Sequence, residues 1–125
     1  MSRIWLEIED VIDIHAMQIV QFGGATGLRD AGQLEAALFR PRSGYYADTI
    51  AEAAALWESL SHNHPFVDGN KRTAFAATLI FLELNDWRLT AAPQAVLDFL
   101  LPLYKAQTFS FDKLEPWLRE NTRAI

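Results

Sequence analysis

Nine consecutive residues, His64-Pro65-Phe66-Val67-Asp68-Gly69-Asn70-Lys71-Arg72, carry the groups needed to handle a phosphorylated ligand. The run leads into a predicted helix with Asn70 as its N-cap. Backbone N–H groups at a helix start have no intrahelical partner, and the helix dipole adds partial positive charge, so the start is a ready anion site. Gly69 allows a ligand to approach the backbone closely. Lys71 and Arg72 add two full charges: arginine can grip a phosphate through two parallel hydrogen bonds, and lysine acts as a point charge. Without a bound anion, two cations at a helix N-terminus oppose the dipole by about 0.3–1 kcal/mol each. Asp68 fits an anion site if it holds Mg²⁺, which binds one or two carboxylates together with substrate phosphates. A neutral His64 imidazole could take a proton from an attacking hydroxyl.

A second chemistry is open to the same stretch. His62, His64 and Asp68 have a spacing that suits Zn²⁺ or Fe²⁺, although no further ligand is obvious. Elsewhere the readings are plainer. His15 falls on the apolar stripe of the first predicted helix and reads as a satisfied, partly buried residue. Arg40 and Arg42 read as solvated charge or as groups approaching the ligand. Tyr45-Tyr46 reads as a docking flap or as cover for the core. Trp5, Trp57, Trp87 and Trp117, with the eight Phe, read as core, part of which could form a groove for a partner helix.

The elements that must position this loop are helical. Ile8, Val11, Ile12, His15, Ile19 and Phe22 recur at spacings of three and four, predicting a helix from Glu7 to Phe22 that Gly23-Gly24 ends. Asp30 with Gln33 forms a capping-box pattern for a helix from Asp30 to Phe39, stopped by Pro41. Ser43-Gly44 marks a loop. Thr49 with Glu52 is a second such pattern, opening an Ala-rich helix to about Asn63. The helix from Asn70 to about Asn85 carries Phe75, Leu79 and Leu82 on one stripe. Being the most apolar, it is expected at the centre. Trp87 to Thr90 reads as a short extended piece. Pro93 to Lys105 and Phe111 to Asn121 read as two more helices, the last weakened by Pro116. The expectation is one all-α domain over residues 1–125, a compact bundle of about six helices with little or no sheet.

Composition narrows the function. The 125 residues are half apolar and 12% aromatic, enough for a continuous core and unlike a disordered chain. No cysteine is present, so disulfides and thiolate metal sites are excluded. The net charge is -5 and the pI about 5.1. A general nucleic-acid binder would be basic, so a local cationic loop points to a small phosphate ligand and not to direct contact with nucleic acid. The N-terminus lacks the apolar run of a signal peptide, and the apolar run Thr73 to Leu82 is too short to span a membrane. The expected location is the cytoplasm.

The nine-residue run resembles the signature loop of the Fic/Doc family. The wider Fic pattern is His-Pro-Phe-x-Asp/Glu-Gly-Asn-Gly-Arg, and the Doc branch carries Lys where Fic enzymes have the second Gly, as Lys71 does here. Gly27-Leu28-Arg29-Asp30, Leu34-Glu35-Ala36-Ala37-Leu38 and Arg40-Pro41 are similar to an upstream Doc segment. The resemblance spans at least Gly23 to Asn85. It implies a Fic/Doc helical fold, with His64 as general base, Phe66 as core anchor of the loop and Asp68 as Mg²⁺ ligand. It also implies that Gly69, Asn70, Lys71 and Arg72 bind the phosphates of ATP. Fic enzymes typically transfer AMP to a protein hydroxyl. Doc moves the γ-phosphate of ATP to a threonine of elongation factor Tu, stopping translation, and a Phd-type antitoxin neutralises it. Lys71 is Doc-like, whereas Pro65 and Gly69 look Fic-like. The expectation is the Doc-like kinase, since the Lys71 side chain fills the room that a glycine would leave and adds charge; AMP transfer and an inactive binding module are the alternatives. The inhibitory Fic pattern Ser/Thr-x-x-x-Glu-Gly/Asn is broken at Pro116, although Glu120-Asn121 would match its end. Restraint would then come from a partner chain.

Overall fold

The structure is a computed structural model that describes residues 2–125. Six helices account for most of it: α1 (Ile8–Phe22), α2 (Ala31–Phe39), α3 (Thr49–His62), α4 (Asn70–Leu84), α5 (Pro93–Lys105) and α6 (Phe111–Glu120). A 3₁₀ turn, Arg40–Arg42, follows α2. Two three-residue strands, β1 (Trp87–Leu89) and β2 (Thr122–Ala124), pair antiparallel with Arg88 opposite Arg123. The all-α expectation holds, with this small ribbon as the sheet found among the described residues. No helix among them is long and apolar enough to cross a membrane.

The centre of the bundle is α3, not the helix expected there. Nearly every residue from Ile50 to Ser61 is buried, and α3 packs against α2, α4 and α6. Its alanines explain this. Ala51, Ala53, Ala54 and Ala55 present little bulk, so neighbouring helices can close on several sides at interior density. By contrast α4 is two-sided. Thr73, Ala74, Ala77, Thr78, Phe81 and Leu82 face inward, while Ile80 and Leu84 are exposed. Phe75 and Leu79, expected on its inner stripe, are only half-buried.

Several helix ends differ from the sequence reading, each for a local reason. The cap of α3 is Asp48, whose carboxylate accepts from Ala51 N at 3.0 Å, one residue before the expected Thr49. Thr49 itself is buried. The cap of α4 is Gly69 in a left-handed conformation, so Asn70 is the first helical residue. Asp30 caps α2 as expected, accepting from Gln33 N at 3.1 Å. A reciprocal capping box that the sequence reading missed, Glu7 with Asp10, starts α1. On α1 the buried stripe is Val11, Ile14, His15 and Ile19, whereas Ile12 and Phe22 lie outside. Both Pro102 and Pro116 are carried inside helices, α5 and α6, without ending them.

Trp57 is fully buried at the core, ringed by Phe75, Phe109 and Trp117. Trp5, Trp87 and Trp117 pack partly buried against the same core. Two phenylalanines depart from the core assignment: Phe22 and Phe39 are exposed. Arg40 is structural. It donates to Tyr46 Oη at 2.7 Å, Glu58 Oε1 at 2.6 Å and Ser59 Oγ at 3.0 Å. Glu58 Oε2 accepts from Phe111 N, so one ion pair ties the 3₁₀ turn to α3 and α6. Arg42 pairs with Glu7 and lies over Trp5, away from the loop. Tyr46 packs on Phe111, while Tyr45 projects into solvent.

Candidate active site

The loop between α3 and α4 is held from below and from the side. From below, Phe66 is buried, and its ring stacks on His15 of α1 with centroids 3.9 Å apart. Burying such a ring stabilises by about 1.5–3 kcal/mol, so Phe66 is a firm anchor for the residues around it. From the side, the segment Gly27 to Asp30 runs antiparallel to the loop. Arg29 N and Asp30 N donate to Pro65 O at 2.7 and 3.0 Å, and Val67 N donates to Gly27 O at 3.0 Å. The upstream Gly-Leu-Arg-Asp segment therefore has a physical reason to accompany the loop: its backbone completes the loop's hydrogen bonding.

His64 is exposed and sits at φ 47°, a left-handed conformation that costs a non-glycine residue about 1–3 kcal/mol unless its surroundings fix it. Arg29 does the fixing. Its guanidinium donates to His64 O at 2.6 Å and to Asn63 O at 3.0 Å. It also places a cation at the carbonyl end of α3, the favourable end of the dipole. In the sequence Arg29 stands only within the Gly27-Leu28-Arg29-Asp30 pattern. Nothing local to it reveals that it braces residues 34 and 35 positions away.

Asp68 is exposed on the same loop. Its Oδ2 accepts from Ala25 N at 3.1 Å and its Oδ1 from Gly69 N at 2.8 Å. These N–H groups, Ala25 first, hold its carboxyl below the ordinary carboxylate range, and Arg72 and His15 add to the effect. The carboxylate is thus a fixed anion with hard oxygen donors, as Mg²⁺ requires when phosphates supply further oxygens. Among the described residues no three His, Asp or Glu side chains gather as a metal-ligand set. His62, one of the candidate transition-metal ligands, instead donates from Nε2 to Phe109 O at 2.8 Å.

A groove of about 440 Å³ is lined by His64, Val67, Asp68, Gly69, Asn70, Lys71 and Arg72. The loop-to-helix junction therefore does bring the expected side chains around one space. Their present contacts differ in kind. Asn70 spends its side chain on the loop: Oδ1 accepts from Phe66 N and Nδ2 donates to Phe66 O, both at 2.9 Å. What it can offer a ligand is its backbone N–H. Arg72 donates to Gly23 O at 3.0 Å. Lys71 Nζ rests 4.5 Å above the Tyr104 ring. There it borders a second groove of about 350 Å³, shared with His64 and lined by Ser61, His62, Tyr104, Gln107 and Phe109. Tyr104 and Gln107 lie some thirty-five residues beyond the loop and carried no signal in the sequence.

Gly24 closes over this arrangement at φ 117°. A Cβ there would stand 2.7 Å from Asp68 Oδ2, 3.2 Å from Ile19 Cδ1 and 3.3 Å from Arg72 Nη2. Gly24→Ala is therefore expected to push the Ala25 N–H off Asp68 and to destabilise the fold by about 1–3 kcal/mol. Thermal melting checks this, and an unshifted midpoint would show that the Gly23-Gly24-Ala25 strap adapts freely.

Fold and site together define a small, mainly helical domain with a polar groove at a loop-to-helix junction. The family model described as the Fic/DOC family matches residues 5–82. The toxin Doc of Mycolicibacterium smegmatis is 44% identical over 92 residues, covering 70% of this chain and 68% of that protein. The protein kinase doc of Escherichia phage P1 is 30% identical over 90 residues, covering 69% of this chain and 71% of that protein. The chain belongs to the Fic/Doc family.

Proposed function

We propose that the chain is a Doc-type toxin that transfers the γ-phosphate of ATP to a threonine of elongation factor Tu in the cytoplasm and so halts translation. The observation that carries the reading is the single groove lined by His64, Asp68 and the Gly69–Arg72 helix start. Its relatives support it: one is a toxin and the other a protein kinase. In this reading the first N–H groups of α4 and the Arg72 guanidinium hold the phosphates. Lys71 leaves the Tyr104 face to add its charge.

His64 accepts the proton of the acceptor hydroxyl as that oxygen bonds to the γ-phosphorus. The bond from that phosphorus to the β–γ bridging oxygen breaks, and ADP leaves. Asp68 and the phosphates together would hold Mg²⁺, which neutralises charge on the transferring group. Control falls to a Phd-type antitoxin, since the inhibitory Fic pattern fails at Pro116.

Labelled ATP tests the reaction. Label at the γ-position is expected on purified elongation factor Tu, and label at the α-position is not. Transfer of α-label would overturn the kinase in favour of AMP transfer, the reaction of the Fic enzymes that Pro65 and Gly69 resemble. Absence of both labels, with no growth arrest on expression, would leave a binding module.

A further inference from the structure

We propose that His15 is a positioning residue that sets the Asp68–Gly69 peptide for phosphate capture; the proposal rests on the nucleotide reading above. His15 is 4% exposed, yet it is not merely filling the core. Its ring lies flat on Phe66, 4° from parallel. Its Nε2 is 2.8 Å from Asp68 O. A carbonyl oxygen can only accept, so the proton is on Nε2. The ring edge also reaches Gly69, with Cδ2 3.8 Å from where a Cβ on that glycine would stand. One imidazole from α1 thus supports the loop's anchor, its carboxylate residue and the cap of α4.

The consequence lies in peptide geometry. A trans peptide is planar, and its C=O and N–H point in opposite directions. By drawing Asp68 O toward α1, His15 turns the Gly69 N–H the other way. That N–H bonds to Asp68 Oδ1 on the groove side. The same hydrogen bond therefore steadies the carboxylate and fixes the glycine cap from which the first N–H groups of α4 lead off. Ile19, one turn further along α1, bounds the same glycine, its Cδ1 3.1 Å from that Cβ position. The seat is a face of α1 in which only His15 supplies a hydrogen bond to the loop backbone among the described residues.

Two variants of the full chain separate the hydrogen bond from the packing. His15→Phe keeps a stacking ring and removes the donor; His15→Gln keeps an N–H donor and removes the ring. In His15→Phe the amides of Gly69 and Asn70 are expected to exchange with solvent about tenfold faster, the effect of losing one hydrogen bond. KM for ATP should rise by a similar factor with kcat little changed, because the helix start that His15 positions serves substrate and transition state alike. His15→Gln should recover most of both effects. Unchanged amide exchange in His15→Phe, or a Gln variant no better than Phe, would overturn the proposal. The amide measurement stands without nucleotide. If the wild type fails to bind Mg·ATP, the nucleotide reading falls; if it binds and His15→Phe binds equally well, only the role of His15 falls.

Discussion

His64→Ala is expected to fold and bind Mg·ATP as the wild type does but to transfer phosphate about 10²–10⁴ times more slowly, the range for losing a general base. The separation between binding and turnover follows from where the side chain lies. His64 is exposed, and its backbone, not its ring, is what Arg29 holds. Removing the imidazole therefore leaves the loop's hydrogen bonds with Gly27 to Asp30 intact. Binding measured by calorimetry should be within a few-fold of wild type. Expression in bacteria should no longer arrest growth. A variant that still transfers phosphate at the wild-type rate would remove His64 from the reaction.

Arg72→Ala should act differently, lowering kcat/KM by about 10²–10³, as expected when a charged donor to a transferring phosphoryl group is lost. Arg72 is anchored at present by one hydrogen bond to Gly23 O and by the Phe22 ring 5.7 Å beneath its guanidinium. That anchor uses one edge of a planar group with five N–H donors and leaves others for an anion. Arg72→Lys keeps the charge without the fork, so it should recover only part of the loss. Steady-state kinetics on the two variants checks this. Equal activity of Lys and Arg at this position would mean that charge alone matters.

The loop was legible in the sequence because its chemistry is local. Nine adjacent residues carry an imidazole, a carboxylate, a glycine and two cations, and a helix start follows at once. The helices were legible for a similar reason, since their apolar spacing and breakers lie within each segment. What supports the loop was not legible. His15, Arg29 and the Gly23-Gly24-Ala25 strap reach it from 34 to 53 residues away, through a ring face and backbone atoms, and neither periodicity nor the Gly27–Asp30 pattern tells what they touch. Asn70 was read as a cap because its residue type suits one. In the fold its amide instead closes on Phe66, and Gly69 takes the cap because it tolerates positive φ. The central position of α3 was missed because its alanines signal helix propensity strongly and burial weakly. The β2 strand escaped because Thr122–Ala124 is extended only by pairing with β1, a contact some thirty-five residues away along the chain.

The start of α4 is expected to take up the phosphates of ATP beside His64. A crystal structure of the full chain with Mg²⁺ and a non-hydrolysable ATP analogue measures this directly. The phosphates should lie against the N–H groups of Gly69 to Arg72, with the metal between them and Asp68 and the His64 ring facing the terminal phosphorus. Phosphates bound elsewhere, or a groove left empty at saturating analogue, would contradict it.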